Sequence, residues 1–219
     1  MKIFRRSFRA LLFVSALSFM SPASSPSSPF LPAAEPKTIL IFGDSLTAGL
    51  GLDDPATQAY PALLQKKIAV AGLPYRVVNG GLSGETTAAG LRRIDWMLRE
   101  RVDVFVLALG GNDGLRGILP NVTRANLAGI LEKVRSKYPE AKLVVAGMQM
   151  PPNLGPDYLV DYRAIFPDVA KATGATLIPF LLEGVGGVPE LNQHDGIHPT
   201  AKGHAQVAET VWRVLRTLL

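Results

Sequence analysis

The sequence predicts one three-layer α/β domain with a parallel sheet. Three observations carry this: five short apolar runs without polar alternation, amphipathic stretches of ten or more residues between them, and a length of 219 residues that suits a single core. Runs without alternation are what strands buried on both faces look like. Strands that alternate with helices close right-handed βαβ units, which place helices on both faces of a parallel sheet.

The first strand is expected at 38–42 (TILIF), where β-branched and aromatic side chains follow one another with no polar interruption. The second is expected at 75–78, the third at 102–109 (VDVFVLAL), the fourth at 142–146 and the fifth at 175–179. Helices are expected at 60–71, 87–100 and 123–137, with a less regular one at 158–173. The last, 201–218, carries Ala205, Ala208, Val211, Trp212 and Leu215 at the spacing of one docked face, and Thr200 before it suits an N-cap. The sequence has no internal repeat. In such sheets sites form where strand C-terminal ends open into loops, so the segments after Phe42, Asn79, Leu109, Ala146 and Pro179 are the ones to search.

The net charge of +5 belongs to the N-terminus. Lys2, Arg5, Arg6 and Arg9 supply four of the 23 basic residues and no acid precedes Glu35, which leaves 19 basic against 18 acidic residues in the remainder. No long Lys/Arg stripe marks a nucleic-acid surface. The basic start runs into apolar residues 10–20 and then Ser21-Pro22-Ala23, the pattern of a signal peptide over 1–23. That apolar run is about half of what a spanning helix needs, so no stable span is expected once the leader is removed. Segment 24–36, rich in Pro, Ser and Ala, reads as a linker, and 37–219 as the folded domain. A periplasmic or secreted location follows from the leader. The chain has no cysteine, which rules out thiol chemistry and a lipoprotein anchor and leaves the core to hold an exported fold together.

Four of the strand ends carry residues with chemistry. The first strand ends in Gly43-Asp44-Ser45-Leu46. A serine at a helix mouth sits beside backbone N–H groups that favour an oxyanion, although Asp and Ser are equally good as plain caps. After the fifth strand comes His194-Asp195-Gly196-Ile197-His198-Pro199. A neutral imidazole can take the serine proton while a carboxylate on its other nitrogen fixes the tautomer. A metal held by His194, Asp195 and His198 is the alternative, but Gly196 and Pro199 spoil the helix such a pair needs. His204 in the final helix reads as packing or surface. The glycine-rich segment from Asn79 to Thr86 allows the Gly84 amide to approach a ligand, and Asn112, after the third strand, can present its side-chain amide. Each has a bland counterpart, a glycine turn and an Asx cap.

Together, GDSL at 43–46, SGET at 83–86, GGND at 110–113 and DGIHP at 195–199 resemble the GDSL or SGNH hydrolase superfamily, in order and spacing along nearly all of 37–219. The finer match resembles its bacterial arylesterases and multifunctional acyl-thioesterase/lysophospholipases. The resemblance implies a flavodoxin-like three-layer α/β/α sandwich with a five-stranded parallel sheet. It implies Ser45 as nucleophile, His198 and Asp195 completing a triad, and the Ser45 amide, Gly84 amide and Asn112 side chain as oxyanion donors. It implies cleavage of aryl and short-to-medium acyl esters, extending to thioesters and lysophospholipids, with no cofactor and no metal. The family's variable loops are not carried over.

From the residues, Met148, Met150, Leu154, Leu181 and Leu182 are flexible apolar side chains suited to an acyl chain, or equally ordinary core and loop residues. No serine lies in a G-x-S-x-G elbow, so an α/β-hydrolase is not expected. A nucleotide-binding module would need a Gly-rich phosphate loop with Lys, which is lacking, and Asp44 would repel a phosphate. Within the enzyme class the alternative is a carbohydrate acetyl-esterase acting on envelope polysaccharide. The sequence says nothing of oligomeric state. A base that works as neutral imidazole loses activity below about pH 6.

Overall fold

The computed structural model describes residues 35–219; the leader expected at 1–23 and all of the linker expected at 24–36 except Glu35 and Pro36 lie outside the described residues. Strand β1 (Lys37–Gly43) is buried from Thr38 onward, as its unbroken apolar run requires. The other strands are β2 (Tyr75–Gly81), β3 (Val104–Ala108), β4 (Lys142–Ala146) and β5 (Thr176–Ile178). They form one five-stranded, all-parallel sheet in the order β2-β1-β3-β4-β5. The register pairs Ile41 with Asn79 on one side and Val106 on the other. This is the three-layer α/β fold expected from the sequence.

Five helices cover the sheet: α3 (Tyr60–Val70), α4 (Thr87–Met97), α6 (Pro120–Lys137), α7 (Pro156–Thr173) and α8 (Ala201–Leu215). Helices α3 and α8 pack together, while α4, α6 and α7 form a second packed set. Side chains such as Phe42, Phe105, Ile130, Phe166 and Val211 are fully buried between these layers, and each such burial stabilises by about 1.5–3 kcal/mol relative to exposure. Three short helices sit in loops at the strands' C-terminal ends: α1 (Ser45–Ala48), α2 (Pro55–Gln58) and α5 (Gly111–Leu115).

Boundaries differ from the periodicity in instructive ways. Strand β2 runs on through Gly80 and Gly81, where the backbone of Thr47 and Ala48 approaches so closely that a Cβ on Gly81 would lie 2.3 Å from the Ala48 nitrogen. Helix α6 begins three residues before its apolar pattern because Pro120 is preorganised for a first turn. Pro167 stands inside α7, which explains the weaker helical signal there.

Chain order reverses at β1: β2 lies on one side and β3 on the other. The loops after β1 and β3 therefore leave the sheet in opposite directions and open a crevice at their C-terminal ends.

Candidate active site

Ser45 opens helix α1 directly beyond β1. Asp44 caps that helix, its Oδ1 accepting from the Leu46 amide at 3.0 Å. The turn is tight enough to exclude a side chain at position 43: a Cβ on Gly43 would meet Thr47 Oγ1 at 2.1 Å and the Ala108 carbonyl oxygen at 2.8 Å. Thr47 is held from behind by a 2.8 Å hydrogen bond with the Tyr60 hydroxyl. Ser45 is thus carried on a braced turn and is 7 % exposed.

His198 arrives from the loop between β5 and α8, 153 positions along the chain. Its Nε2 lies 2.8 Å from Ser45 Oγ, and its Nδ1 lies 2.6 Å from Asp195 Oδ2. The carboxylate on Nδ1 keeps the proton there, so Nε2 accepts from the serine hydroxyl. Asp195 is fixed locally: its Oδ1 accepts from the Ile197 and His198 amides, each at 3.0 Å. Burial works to raise the Asp195 pKa, but the hydrogen bonds from the His198 ring and from these two amides hold it down at about 2.

Asn112, on helix α5 just after β3, reaches the same crevice. Its Nδ2 donates to Asp44 Oδ2 at 3.3 Å and to the Glu85 carbonyl at 3.2 Å. Gly84 precedes Glu85 in an exposed loop, at φ +77°, a conformation that glycine adopts without strain. Glu85 is buried and paired with Arg93, which also donates to the Gly80 carbonyl at 2.8 Å and lies 4.2 Å over the Phe42 ring. Asp113 is fully buried and accepts from the Thr87 amide at 2.8 Å and the Thr87 hydroxyl at 2.5 Å, which moors α5 to the start of α4.

Ser45, Asn112 and His198 line one cavity of about 410 Å³ together with Asp44. Its apolar wall is Met148, Met150, Phe180, Leu182, Leu115 and Ile197. Of the apolar residues singled out from the sequence, Met148, Met150 and Leu182 line this cavity, and Met148 is also part of the buried core. Leu154 and Leu181 do not line it. Leu181 points into the core at 1 % exposure because its amide is tied to the Gly147 carbonyl, and the neighbouring Phe180 and Leu182 face the cavity instead. Leu154 ends a short 3-10 turn (Pro152–Leu154) whose earlier residue Pro152 reaches the cavity. Gly84 is not part of the lining either.

Two groups near the site gain significance only from the fold. Asp44 is 2 % exposed, and burial raises its pKa to about 6 against the lowering effect of the Leu46 amide and of nearby His198. An acid directly after a fully apolar strand was the available signal for it, because such a position lies under the sheet edge. His204 is buried on α8, accepts from the Tyr60 amide through Nδ1 at 3.3 Å, and is pushed down to about 4 by burial and by His198. Among the described residues no group of three or more His, Cys, Asp or Glu is placed to hold a metal ion.

A family profile described as the GDSL-like lipase/acylhydrolase family matches residues 41–206. The chain belongs to this family. Esterase TesA of Pseudomonas aeruginosa is 44 % identical over 187 residues, covering 85 % of this chain and 91 % of the relative. Thioesterase 1/protease 1/lysophospholipase L1 of Escherichia coli K12 is 38 % identical over 188 residues, covering 85 % and 87 %. A crystal structure of a TesA superposes with a TM-score of 0.79 at 44 % identity, covering 84 % of this chain and all of that one. As a GDSL-like acylhydrolase the chain is an enzyme of the ester-hydrolase class, and its sheet is the fold of its structural relatives.

Proposed function

We propose that this GDSL-like acylhydrolase cleaves carboxylic esters through an acyl-enzyme on Ser45. The observation that carries this is the unbroken hydrogen-bonded line from Asp195 through His198 to Ser45, at 2.6 and 2.8 Å. His198 takes the hydroxyl proton as Oγ attacks the ester carbonyl; the imidazolium, steadied by Asp195, then passes that proton to the departing alcohol or thiol. Water repeats the attack and releases the acid. The Ser45 amide and Asn112 Nδ2, both in the cavity lining, are oxyanion donors, and the Gly84 amide, which stands outside that lining, is the third by the family motif; each is of the kind whose loss costs about 10²–10³ in kcat. No cofactor takes part.

The substrates are aryl and short-to-medium acyl esters, with thioesters and lysophospholipids open to the same chemistry. A 410 Å³ cavity walled by Met148, Met150, Phe180 and Leu182 has more apolar room than an acetyl group needs, which favours a fatty acyl ester over an acetylated polysaccharide. The relatives named esterase and thioesterase/lysophospholipase support the same range. The leader pattern at 1–23 supports export, with 24–36 as tether and 37–219 as the catalytic domain.

Hydrolysis of nitrophenyl esters from acetate to decanoate, measured for the exported form and for Ser45→Ala, tests this. Turnover by the parent and a fall of about 10³-fold or more in the variant is the expected result. Equal activity of the two proteins would remove Ser45 from the mechanism.

A further inference from the structure

Asp44 is an extravagant N-cap. Ser, Thr or Asn would satisfy the Leu46 amide equally well, without placing a carboxylate almost wholly out of water. At 2 % exposure this carboxyl resists ionisation, and burial pushes it up to about 6. Capping uses only Oδ1. The second oxygen therefore explains the choice of an acid, and Oδ2 accepts from Asn112 Nδ2. Gly111 keeps the space open: a Cβ there would come within 3.3 Å of that same oxygen.

A carboxamide has two ends that differ in hydrogen-bonding sense but hardly in shape. Two acceptors face the Asn112 amide, Asp44 Oδ2 at 3.3 Å and the Glu85 carbonyl at 3.2 Å. Turned over, Asn112 would aim its own oxygen at a carboxylate and a carbonyl. The Glu85 carbonyl belongs to a residue held by Arg93, and Asp44 belongs to the turn braced by Thr47 and Tyr60, so neither acceptor is free to retreat. Both bonds are long, so an oxyanion forming beside Ser45 can draw one Nδ2 hydrogen from Asp44 without rebuilding the site.

We propose that Asp44 is a positioning residue of the oxyanion hole: its one carboxylate ties the Ser45 turn to the Asn112 side chain and sets which end of that amide faces the nucleophile. This rests on Asn112 being an oxyanion donor, as assigned above. Asp44 touches no reacting atom; it acts through Asn112, so its loss reaches kcat and leaves ground-state binding in place.

The test compares Asp44→Asn, Asp44→Ser, Asn112→Ala and Asp44→Asn/Asn112→Ala on nitrophenyl butyrate, with thermal melting to verify folding. Asp44→Asn keeps the shape but can turn an amino group toward another amino group; Asp44→Ser keeps a cap for Leu46 and loses the reach to Asn112. Both are expected to lower kcat about 10–100-fold with KM within about twofold, and the double variant to be no slower than Asn112→Ala alone. If Asp44→Ser retains full kcat, Asp44 is only a cap and the proposal is overturned. If the Asp44→Asn loss persists undiminished on the Asn112→Ala background, Asp44 does not act through Asn112 and the proposal is equally overturned. Full activity of Asn112→Ala would instead sink the oxyanion assignment beneath it, and the positioning role with it.

Discussion

Buried His204 makes the stability of this domain depend on pH in a way that one substitution can isolate. In the fold its pKa is about 4, lowered by burial and by His198, against 6.5 for an ordinary imidazole. Below pH 6.5 the unfolded chain takes up a proton there while the native chain does not, so stability falls as pH drops through this window and the loss is complete only below about 4. Between pH 7.5 and 4.5 this amounts to about 2.5 kcal/mol of lost stability. Asp44 works in the opposite sense. Its native pKa of about 6 exceeds the ordinary 3.8, so the native state binds its proton first and gains about 2 kcal/mol over the same interval. The two contributions nearly cancel in the parent protein. His204→Asn removes one of them while keeping an acceptor near the Tyr60 amide. Urea unfolding followed by tryptophan fluorescence at the two pH values gives the comparison. On acidification the parent should change little from these two groups, and the variant should gain about 2 kcal/mol, which is about 2.5 kcal/mol relative to the parent. A pH response identical in the two proteins would refute the reasoning, because it would mean that His204 titrates alike in the folded and unfolded chain.

Two further substitutions probe the braces of the site. Gly43→Ala forces a methyl against Thr47 Oγ1 and against the fixed carbonyl of Ala108; the expected cost is about 3 kcal/mol, read as a melting temperature lower by on the order of 10 °C and a large fall in kcat. Wild-type stability would show that β1 and β3 can part more easily than their pairing suggests. Gly114→Ala places a Cβ 2.0 Å from Met150 Sδ, a side chain that can move and that lines the cavity. Displaced inward, Met150 should shift the nitrophenyl ester preference toward shorter chains by about two carbons or more; an unchanged profile would take Met150 out of the acyl site.

Much of the architecture could be read from the chain because its causes are local. An apolar run such as 38–42 can only be buried on both faces, and five such runs between amphipathic helices leave a parallel sheet as the way to cover them. The Asp195–His198 pair was equally legible, since both groups lie within four residues and the Ile197 and His198 amides hold the carboxylate there. The likeness at 43–46, 83–86, 110–113 and 195–199 marked the family for the same reason: those turns need particular residues wherever the rest of the chain goes.

What depends on distant neighbours was not readable. Leu181 and Phe180 are adjacent and both apolar, and only the pairing of the Leu181 amide with Gly147 decides which one faces the cavity. The state of Asp44 and of His204 follows from layers of helix and loop contributed from across the chain, which remove water from groups that look like an ordinary cap and an ordinary helix residue. That Ser45 and His198 belong together was legible only through the family motifs; the 2.8 Å contact itself needs the β1 and β5 ends brought to one sheet edge, 153 positions apart. Local sequence determined the turns and the chemistry each can offer; tertiary structure decided which of those groups meet and which are kept from water, because proximity and desolvation belong to the packed sheet and to no single segment of it.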